Sequence, residues 1–288
     1  VVHLIREVKD FLAKQRKAGR TIGLVPTMGY LHEGHLALMR EARKACDVIV
    51  VTIFVNPLQF GPAEDFEKYP RDLDRDTALC RGAGVDLVFT PSVREMYPRP
   101  ARAFVEVQKL TEGLCGASRP GHFRGVATVV TKLFNIVEPD RAFFGQKDAQ
   151  QTAVIKQMVE DLHMNLEVVT VPTAREPDGL AISSRNVYLG PEERRAAAVL
   201  YRSLRLAEEL IRSGEREAEA VSGKLKALIE KEPLARVDYV AVVGGETLEP
   251  LPVLTGRILI ALAVFVGRTR LIDNFCLEVS ERDVTHVM

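Results

Sequence analysis

This sequence has no excess of charge of either sign, few cysteines and no long apolar run. Its 39 Lys and Arg residues balance 39 Asp and Glu residues, so no bulk charge attracts nucleic acid or an anionic membrane, and we expect neither as a partner. The four cysteines are scattered without a CxxC pair, which disfavours a metal cluster or disulfide framework and favours a cytoplasmic location. The most apolar stretch, residues 258–266, is much shorter than the roughly 20 residues of a membrane helix.

The chain is long enough for two domains and has the composition of a soluble globular protein. Of its 288 residues, 47% are hydrophobic and 27% are charged, and these values are unlike those of disordered chains. In the first half, β-branched apolar runs alternate with segments whose apolar residues recur at helical spacing. The run at residues 48–55 fits a central parallel strand that is covered on both faces.

This alternation predicts an α/β fold built on a doubly wound, Rossmann-like parallel sheet. The predicted strands lie at residues 21–25, 48–55, 85–89, 141–144 and 166–171. The predicted helices begin near residue 4 and continue at residues 35–46, 72–81, 126–137 and 149–162. Ligands of such sheets bind outside the carboxyl ends of the strands, so the polar segments that follow the strands are candidate sites.

The character of the chain changes after Gly190. The predicted elements of this part are helices at residues 192–211 and 215–231 and strands at residues 237–243, 258–266 and 271–279. Helices followed by strands indicate a small α+β domain that is antiparallel in part. We therefore predict a Rossmann-like domain at residues 1–186 and a smaller C-terminal domain at residues 187–288.

The first candidate site is the segment PTMGYLHEGH at residues 26–35, which leaves the first predicted strand and opens a helix. The free N–H groups and dipole of a helix N-terminus favour a phosphate ligand. His32 and His35 are three residues apart, so a helical turn would place both imidazoles on one side, where they can donate hydrogen bonds to phosphate oxygens. Either histidine alone is more simply a surface residue, but the pair around Gly34 favours a catalytic role.

The second candidate site follows the next core strand, in the segment FVNPLQFG at residues 54–61. The Asn-Pro pair marks a turn. Gln59 offers a donor and an acceptor on a neutral side chain, which suits a hydroxy acid. A polar loop residue without function is the alternative interpretation, and the segment taken alone favours it.

The third candidate site, FFGQKDAQQ at residues 143–151, repeats the arrangement of strand end, glycine and helix start. Lys147 carries a mobile point charge that suits phosphate. Asp148 and Gln151 could instead form a capping pair for the helix, an alternative in which Lys147 has no part. The lysine therefore favours a phosphate site over a purely structural turn.

The fourth candidate site, GLAISSRN at residues 179–186, places Ser183, Ser184 and Arg185 in a row. Two hydroxyls and a planar guanidinium can bind a triphosphate through short hydrogen bonds and a bidentate fork. Taken alone, the segment is equally well explained as a polar linker between domains.

Together these segments resemble the pantothenate synthetase family. The His-x-Gly-His pattern alone resembles only the wider nucleotidyltransferase superfamily, whereas the combination of motifs is specific and spans nearly the whole chain. The matching segments are residues 28–35, 54–61, 69–71, 121–126, 145–151, 179–186 and 270–274. Ile182 stands where the family often has Met or Leu, and Ala149 where it often has Tyr, and neither departure puts a catalytic role in doubt.

The resemblance implies that ATP and pantoate form pantoyl adenylate and pyrophosphate, after which β-alanine displaces AMP to give pantothenate. It implies that His35, His32 and Lys147 are catalytic, that Gln59 and Gln151 bind pantoate, and that Gln59 also meets β-alanine. The residues implied to bind ATP are Met28, Gly29, Tyr30, Leu31, His32, Glu33, Gly34, His35, Gly145, Gln146, Lys147, Asp148, Ala174, Ile182, Ser183, Ser184 and Arg185. It further implies Mg²⁺ carried by ATP and a homodimer. Because the fourth candidate site lies at the junction of two compositionally different parts of the chain, we predict that the C-terminal domain, from about Pro191, acts as a lid over the nucleotide.

Three other functions stay open on the residues alone. A nucleotidyltransferase that acts on a phosphate ester needs a second cationic site, which the neutral Gln59 and Gln151 fit poorly. A nucleotide-binding regulatory protein would bind ATP without pantoate-dependent turnover. A metal site on His32 and His35 lacks the carboxylates or cysteines that complete a tetrahedral set, so we predict no protein-bound metal.

Overall fold

The computed structural model describes residues 1–62, 64–280 and 283–287, and the chain forms two compact units. The first unit comprises Val1–Gln108, Arg119–Gly145 and Gln151–Val171. The second unit comprises Lys109–Ser118, Gln146–Gln150 and the chain from Pro172 onward. These units are defined by compactness, whereas the predicted boundary between residues 186 and 187 is one between functional domains. The domain boundary therefore stays a prediction.

The first unit is built on a five-stranded parallel sheet, which confirms the predicted doubly wound α/β fold. Its strands are β1 (Ile22–Thr27), β2 (Val48–Ile53), β3 (Leu87–Phe89), β4 (Arg141–Gly145) and β5 (Glu167–Val171). They lie in the order β3-β2-β1-β4-β5, and all the pairs are parallel. Successive strands are added on one side of β1, as β2 and β3, and then on its other side, as β4 and β5. Ligands of open α/β sheets bind at the switch point that this change creates between β1 and β4.

Side chains on both faces of this sheet are covered. The helices up to residue 161 are α1 (Ile5–Lys17), α2 (Glu33–Ala45), α3 (Leu73–Gly82), α4 (Val93–Met96), α5 (Cys115–Ser118), α6 (His122–Val137) and α7 (Ala149–Asp161). Met39 and Ala42 of α2 pack in one buried cluster with Val25 of β1. Leu24 points to the other face, because side chains alternate along a strand, and it too is fully buried.

Two boundaries in the first unit differ from the predictions. β1 continues through Pro26, two residues past its predicted end. α6 begins at His122 rather than at residue 126, and it contains Gly125. A Cβ at Gly125 would lie 2.3 Å from the carbonyl oxygen of Leu58, so this glycine allows a close backbone approach and does not end the helix.

Helices followed by an antiparallel sheet form most of the second unit, in agreement with the predicted α+β pattern. The elements are α8 (Pro191–Ala196), α9 (Val199–Arg212), α10 (Ala218–Ile229), β6 (Ala235–Gly244), β7 (Gly256–Val266), β8 (Thr269–Val279) and β9 (Val284–His286). The strands pair in the order β6-β7-β8-β9. The single helix predicted at residues 192–211 is wrong, because the chain turns at Ala197 and Ala198 without a glycine or proline to mark the turn.

In the part of the chain that the structure describes, no helix is both long enough and apolar enough to cross a membrane.

Candidate active site

The turn that follows β1 has a fixed, glycine-dependent shape. Gly29 and Tyr30 have φ angles of 87° and 51°, in the left-handed region that favours glycine. A Cβ at Gly29 would lie 2.9 Å from Cγ2 of Ile53. The hydroxyl of Thr27 accepts a hydrogen bond from the N–H of Gly29 at 3.2 Å and donates to the carbonyl of Thr52 at 2.7 Å. The turn is thereby tied to both β1 and β2.

A buried carboxylate from α3 holds the same turn. Asp76 is 1% exposed, and its two oxygens accept hydrogen bonds from the N–H groups of Tyr30 and Leu31, each at 2.7 Å. Burial raises the pKa of this carboxyl, while the two backbone bonds oppose that change. Asp76 was not predicted as a site residue, and in the sequence it is marked only by its spacing of four residues from Cys80 on one face of α3.

His32 and His35 form the N-terminal cap of α2. His32 is the N-cap residue, and its Nδ1 accepts a hydrogen bond from the N–H of Gly34 at 3.2 Å. Nδ1 of His35 accepts one from the N–H of His32 at 3.3 Å, and the two ring centroids are 4.0 Å apart. Because each Nδ1 is an acceptor, the proton of each neutral ring is assigned to Nε2. Both imidazoles therefore have a donor suited to an anionic oxygen at a helix N-terminus.

Glu33 lies between the histidines along the chain but differs from them in its surroundings. Its side chain is 53% exposed and forms an ion pair with Arg40 on the same helix. The structure thus places its carboxylate on the outer surface of α2, whereas both imidazoles are partly buried. Of the predicted ATP-binding residues in this segment, Glu33 is the one whose side chain is least enclosed by protein.

Gln59 ends a short 3-10 turn (Pro57–Gln59) after β2 and is 8% exposed. Its Oε1 accepts a hydrogen bond from Nδ2 of Asn56 at 3.1 Å, and its Nε2 lies 3.2 Å from the sulfur of Met28. The segments after β1 and β2 therefore meet at this amide, as expected for parallel strands whose carboxyl ends share one edge.

Asn56 fixes the orientation of the Gln59 amide and was not predicted as a site residue. It is 1% exposed, and its Nδ2 also donates to the carbonyl of Gly125 at 3.1 Å. Its Oδ1 accepts from the hydroxyl of Tyr97 at 2.8 Å. Burial raises the pKa of Tyr97 to about 12, so this hydroxyl stays a donor at neutral pH. The Asn-Pro pair indicated a turn in the sequence, and its buried hydrogen bonds become visible only in the fold.

A chain of side chains supports Gln59 from the other side. Nδ1 of His122 lies 2.9 Å from the carbonyl oxygen of Gln59, and Nε2 of His122 lies 3.0 Å from Nη1 of Arg119. Because arginine can only donate, Nε2 accepts and Nδ1 carries the proton toward Gln59. Arg119 is held in turn by both carboxylate oxygens of Glu64, at 2.6 and 2.7 Å.

The remaining predicted pantoate ligand, Gln151, lies in the first turn of α7 and is partly buried. It belongs to the first unit, together with Gly145, Gln59 and the histidine segment at residues 28–35. The first unit thus contains both predicted pantoate ligands and both histidines that are predicted to be catalytic.

The other predicted ATP-binding residues belong to the second unit. Gln146–Asp148 form one 3-10 turn directly after β4, and Nζ of Lys147 lies 3.8 Å from Oδ1 of Asp148. Ala174 and Ile182 pair at the two ends of a small hairpin, where the N–H of Ile182 donates to the carbonyl of Ala174 at 2.9 Å. The structure therefore brings these two predicted residues together.

The serine pair and arginine follow this hairpin without a break. The hydroxyl of Ser183 accepts a hydrogen bond from the N–H of Arg185 at 3.3 Å and caps a 3-10 helix (Ser184–Tyr188). Ser184 is 7% exposed. The fourth candidate site is thus an ordered turn at a helix start.

Comparison with known proteins identifies the family. The family model described as pantoate-beta-alanine ligase matches residues 1–276. A pantothenate synthetase of Moorella thermoacetica is 59% identical over 281 residues, which cover 98% of this chain and 99% of the relative. A pantothenate synthetase of Heliobacterium modesticaldum is 61% identical over 279 residues, which cover 97% and 99%.

Solved structures agree with these sequence relatives. A crystal structure of pantothenate synthetase from Thermus thermophilus matches with a TM-score of 0.90 and 48% identity, and covers 95% of this chain and 97% of that one. A pantoate-beta-alanine ligase from Francisella tularensis, complexed with beta-gamma ATP and β-alanine, matches with a TM-score of 0.77 and 35% identity, covering 95% and 96%. The chain belongs to the pantoate-beta-alanine ligase family.

Proposed function

We propose that this chain carries out its family's reaction, the ATP-dependent condensation of pantoate with β-alanine, through a pantoyl-adenylate intermediate. The observation that carries the proposal is the pair His32 and His35 at the N-terminus of α2, each with its proton assigned to Nε2. Two such donors beside the end of β1 suit a phosphate on which negative charge increases during reaction.

The first half-reaction makes a poor acyl donor reactive. A carboxylate oxygen of pantoate attacks the α-phosphorus of ATP, the bond to the β-phosphate oxygen breaks, and pyrophosphate leaves. We assign to Nε2–H of His35 the stabilisation of the charge that develops on the transferred phosphate, with His32 assisting. In the second half-reaction the amine of β-alanine attacks the pantoyl carbonyl carbon, AMP leaves, and the amine loses a proton.

The first unit supplies neutral groups for the hydroxy acid. Oε1 of Gln59 accepts from Asn56 and its Nε2 donates one hydrogen toward the sulfur of Met28, and we assign the second hydrogen of Nε2 to an oxygen of pantoate. The chain of His122, Arg119 and Glu64 holds the backbone carbonyl of Gln59, and Asn56 holds its side-chain amide, so the residue needs little reorganisation when pantoate binds. We propose that Gln151 in the first turn of α7 is the second pantoate ligand.

The second unit supplies cationic and hydroxyl groups for ATP. We propose that Lys147, Ser183, Ser184 and Arg185 bind phosphate oxygens and that Ala174 meets the nucleotide through its backbone. In residues 1–62, 64–280 and 283–287, no three or more His, Cys, Asp or Glu side chains form a group that could hold a metal ion. We propose that Mg²⁺ enters with ATP as part of the substrate, since this cation prefers phosphate and water oxygens. The homodimer, the lid and the cytoplasmic location stay predictions.

Product analysis with omission of each substrate tests this function. Incubation with ATP, Mg²⁺ and pantoate alone should release pyrophosphate in an amount close to that of the enzyme, because the adenylate stays bound. Addition of β-alanine should give continuous formation of pantothenate and AMP. Formation of ADP, or pyrophosphate release that is independent of pantoate, would contradict the proposal and favour another adenylyltransferase or a regulatory nucleotide-binding protein.

A further inference from the structure

A carboxylate interrupts the apolar face of β8 that packs against the helices of the second unit. Leu271, Phe275 and Leu277 of this strand belong to the buried cluster that contains the helices. Asp273 lies on the same face, because side chains alternate along a strand, and it is 2% exposed. Burial of a charged group costs free energy unless it is fully paired, so an apolar residue would serve packing better at this position.

Asp273 is bound to the hairpin at residues 174–182. Its two oxygens accept hydrogen bonds from Nη1 and Nη2 of Arg175 at 2.7 and 2.9 Å. Nη1 of Arg175 also donates to the carbonyl of Gly179 at 3.0 Å, and the guanidinium lies 4.8 Å from the ring of Tyr201. Through Arg175, the carboxylate is therefore tied to the hairpin that leads directly into Ser183.

Asn274, on the opposite face of β8, holds the turn that carries Lys147. It is 5% exposed, and its Nδ2 donates to the carbonyls of Gln146 and Lys147, both at 2.9 Å. Its Oδ1 accepts from Nε2 of Gln146 at 3.1 Å. The N–H of Asn274 donates to Oδ1 of Asp273 at 2.8 Å, so the two side chains are also coupled to each other.

We propose that Asp273 and Asn274 are positioning residues for ATP, which hold the Lys147 turn and the Ser183–Arg185 turn in one register from opposite faces of a single strand. The inference rests on the proposed function, because it concerns where that function's phosphate ligands stand. A buried ion pair adds little net stability over apolar residues of similar volume. We infer that the buried pair instead fixes the positions of the phosphate-binding side chains before the reaction begins.

A double-mutant cycle between Asn274→Ala and Lys147→Ala tests positioning against a purely structural role. The readout is single-turnover release of pyrophosphate with ATP and pantoate. Asn274→Ala alone should slow this step by about 10-fold to 100-fold, the effect of a misplaced catalytic group. In the Lys147→Ala background the same change should alter the rate by less than about 2-fold, since there is no lysine left to position.

Multiplicative losses in the double variant would overturn the inference, because they would show that Asn274 acts independently of Lys147. Asn274→Leu fills the same space and repeats the cycle if the alanine variant does not fold. Asp273→Asn and Arg185→Ala form the matching cycle for the other turn, with the same expectation. Ser203→Ala is the control, because it removes a buried hydroxyl of this unit that bonds to the carbonyl of Val199 within α9, and it should leave the rate unchanged.

The wild-type reaction separates the two proposals. Absence of pantoate-dependent pyrophosphate release in wild-type protein would contradict the proposed function itself. A normal wild-type rate together with multiplicative cycles would contradict only the positioning role of Asp273 and Asn274.

Discussion

Each histidine of the α2 cap has a structural bond that bears on its proposed chemical role. Nδ1 of each ring accepts a backbone N–H of the cap, and this assigns the proton to Nε2. The cap thereby sets Nε2 as the ring nitrogen that would donate to a phosphate in the proposed reaction. His122 uses the reverse arrangement, with Nε2 as the acceptor, because it must donate from Nδ1 to the Gln59 carbonyl.

We expect His35→Ala and Lys147→Ala each to lower the rate of adenylate formation by about 10²–10³-fold, the usual loss for one preorganised donor. The second half-reaction should suffer less, because β-alanine attacks carbon rather than phosphorus, so supplied pantoyl adenylate should restore much of the turnover. Single-turnover kinetics of each half-reaction measure both effects. His3→Ala, an exposed histidine outside the candidate site, is the control. An unchanged adenylation rate in either variant would remove that residue from the site.

Gln59→Ala and Gln151→Ala should raise the KM for pantoate much more than the KM for ATP. Each loses a neutral hydrogen bond worth roughly 0.5–1.5 kcal/mol, and Gln59→Ala also leaves the buried Nδ2 of Asn56 with one partner fewer. Gln157→Ala, on the same helix as Gln151 but bonded to Asp161, is the matched control. Equal changes in both KM values, with lowered melting temperature, would indicate a structural role instead.

The candidate site residues that a sequence pattern can indicate are those whose chemistry is local in sequence. His32 and His35 are three residues apart, and Lys147 has no role in a capping turn, so pattern alone indicates them. Asp76 and Asn56 could not be predicted in this way. Asp76 bonds to Leu31 across 45 residues and Asn56 to Gly125 across 69, and such pairs depend on how the strands are ordered in the sheet.

Among the elements, the turn between β1 and α2 gives the sharpest stability test. Gly29→Ala and Gly19→Ala both place an alanine at positive φ, 87° and 71°; this backbone strain should cost each about 1–2 kcal/mol of stability, and the contacts at Gly29 should add to its cost. At Gly19 no atom lies within 4 Å of the new Cβ, whereas at Gly29 it would press on Ile53 and on Oδ2 of Asp76. Only Gly29→Ala should therefore also reduce adenylation, as measured by denaturant unfolding alongside pyrophosphate release. Equal activity of the two variants would show that the turn geometry does not matter.

We expect the Glu64–Arg119 ion pair to contribute to the loss of folding stability at acid pH. Burial alone would raise the pKa of Glu64, but the hydrogen bond and charge of Arg119 outweigh it and hold the pKa below its ordinary value of 4.5. The unfolded chain then binds more protons than the native one just below pH 4.5, so this contribution to stability is present above that pH and is lost as the pH falls.

Glu64→Gln should therefore lower the melting temperature at neutral pH and flatten its decline between about pH 6 and pH 3. Melting curves across that range measure the effect. Glu219→Gln, at an exposed position of α10, serves as the control and should follow wild-type protein. A Glu64→Gln curve parallel to that of wild type would show that the pair does not contribute to acid sensitivity.

Elements with a clear apolar pattern are predicted closely, including the short strand β3, whereas several of the shortest or interrupted ones are not. β2 and α1 have runs of apolar residues that match one period. α4 and β9 contain four and three residues, too few for any period to appear. The turn between α8 and α9 has only alanines, Ala197 and Ala198, whose backbone stays near helical values, so no residue type marks it.

For the molecule as a whole, the alternation of strand and helix patterns predicts the fold class. It does not predict which segments of the chain belong to each of the two compact units. The second unit takes in Lys109–Ser118 and Gln146–Gln150 from within the Rossmann-like part of the chain. These segments are short, and their contacts with the sheet of this unit combine the hydrogen bonds of Asn274 with the packing of Leu114 and Ala149 against the cluster that contains Cys276 of β8. Periodicity reports how an element buries its own face, and it contains no information on which distant segment will pack beside it.

In the proposed reaction, pantoate is activated by attack of its carboxylate on the α-phosphorus of ATP. Incubation of pantoate labelled with ¹⁸O in its carboxylate with ATP, Mg²⁺ and β-alanine tests this step, because the attacking oxygen stays with phosphorus when the acyl bond is cleaved. Mass spectrometry should find one ¹⁸O in each AMP formed and none in pyrophosphate. Label in inorganic phosphate with ADP as the nucleotide product would show an acyl-phosphate intermediate, and unlabelled AMP would contradict adenylation of pantoate.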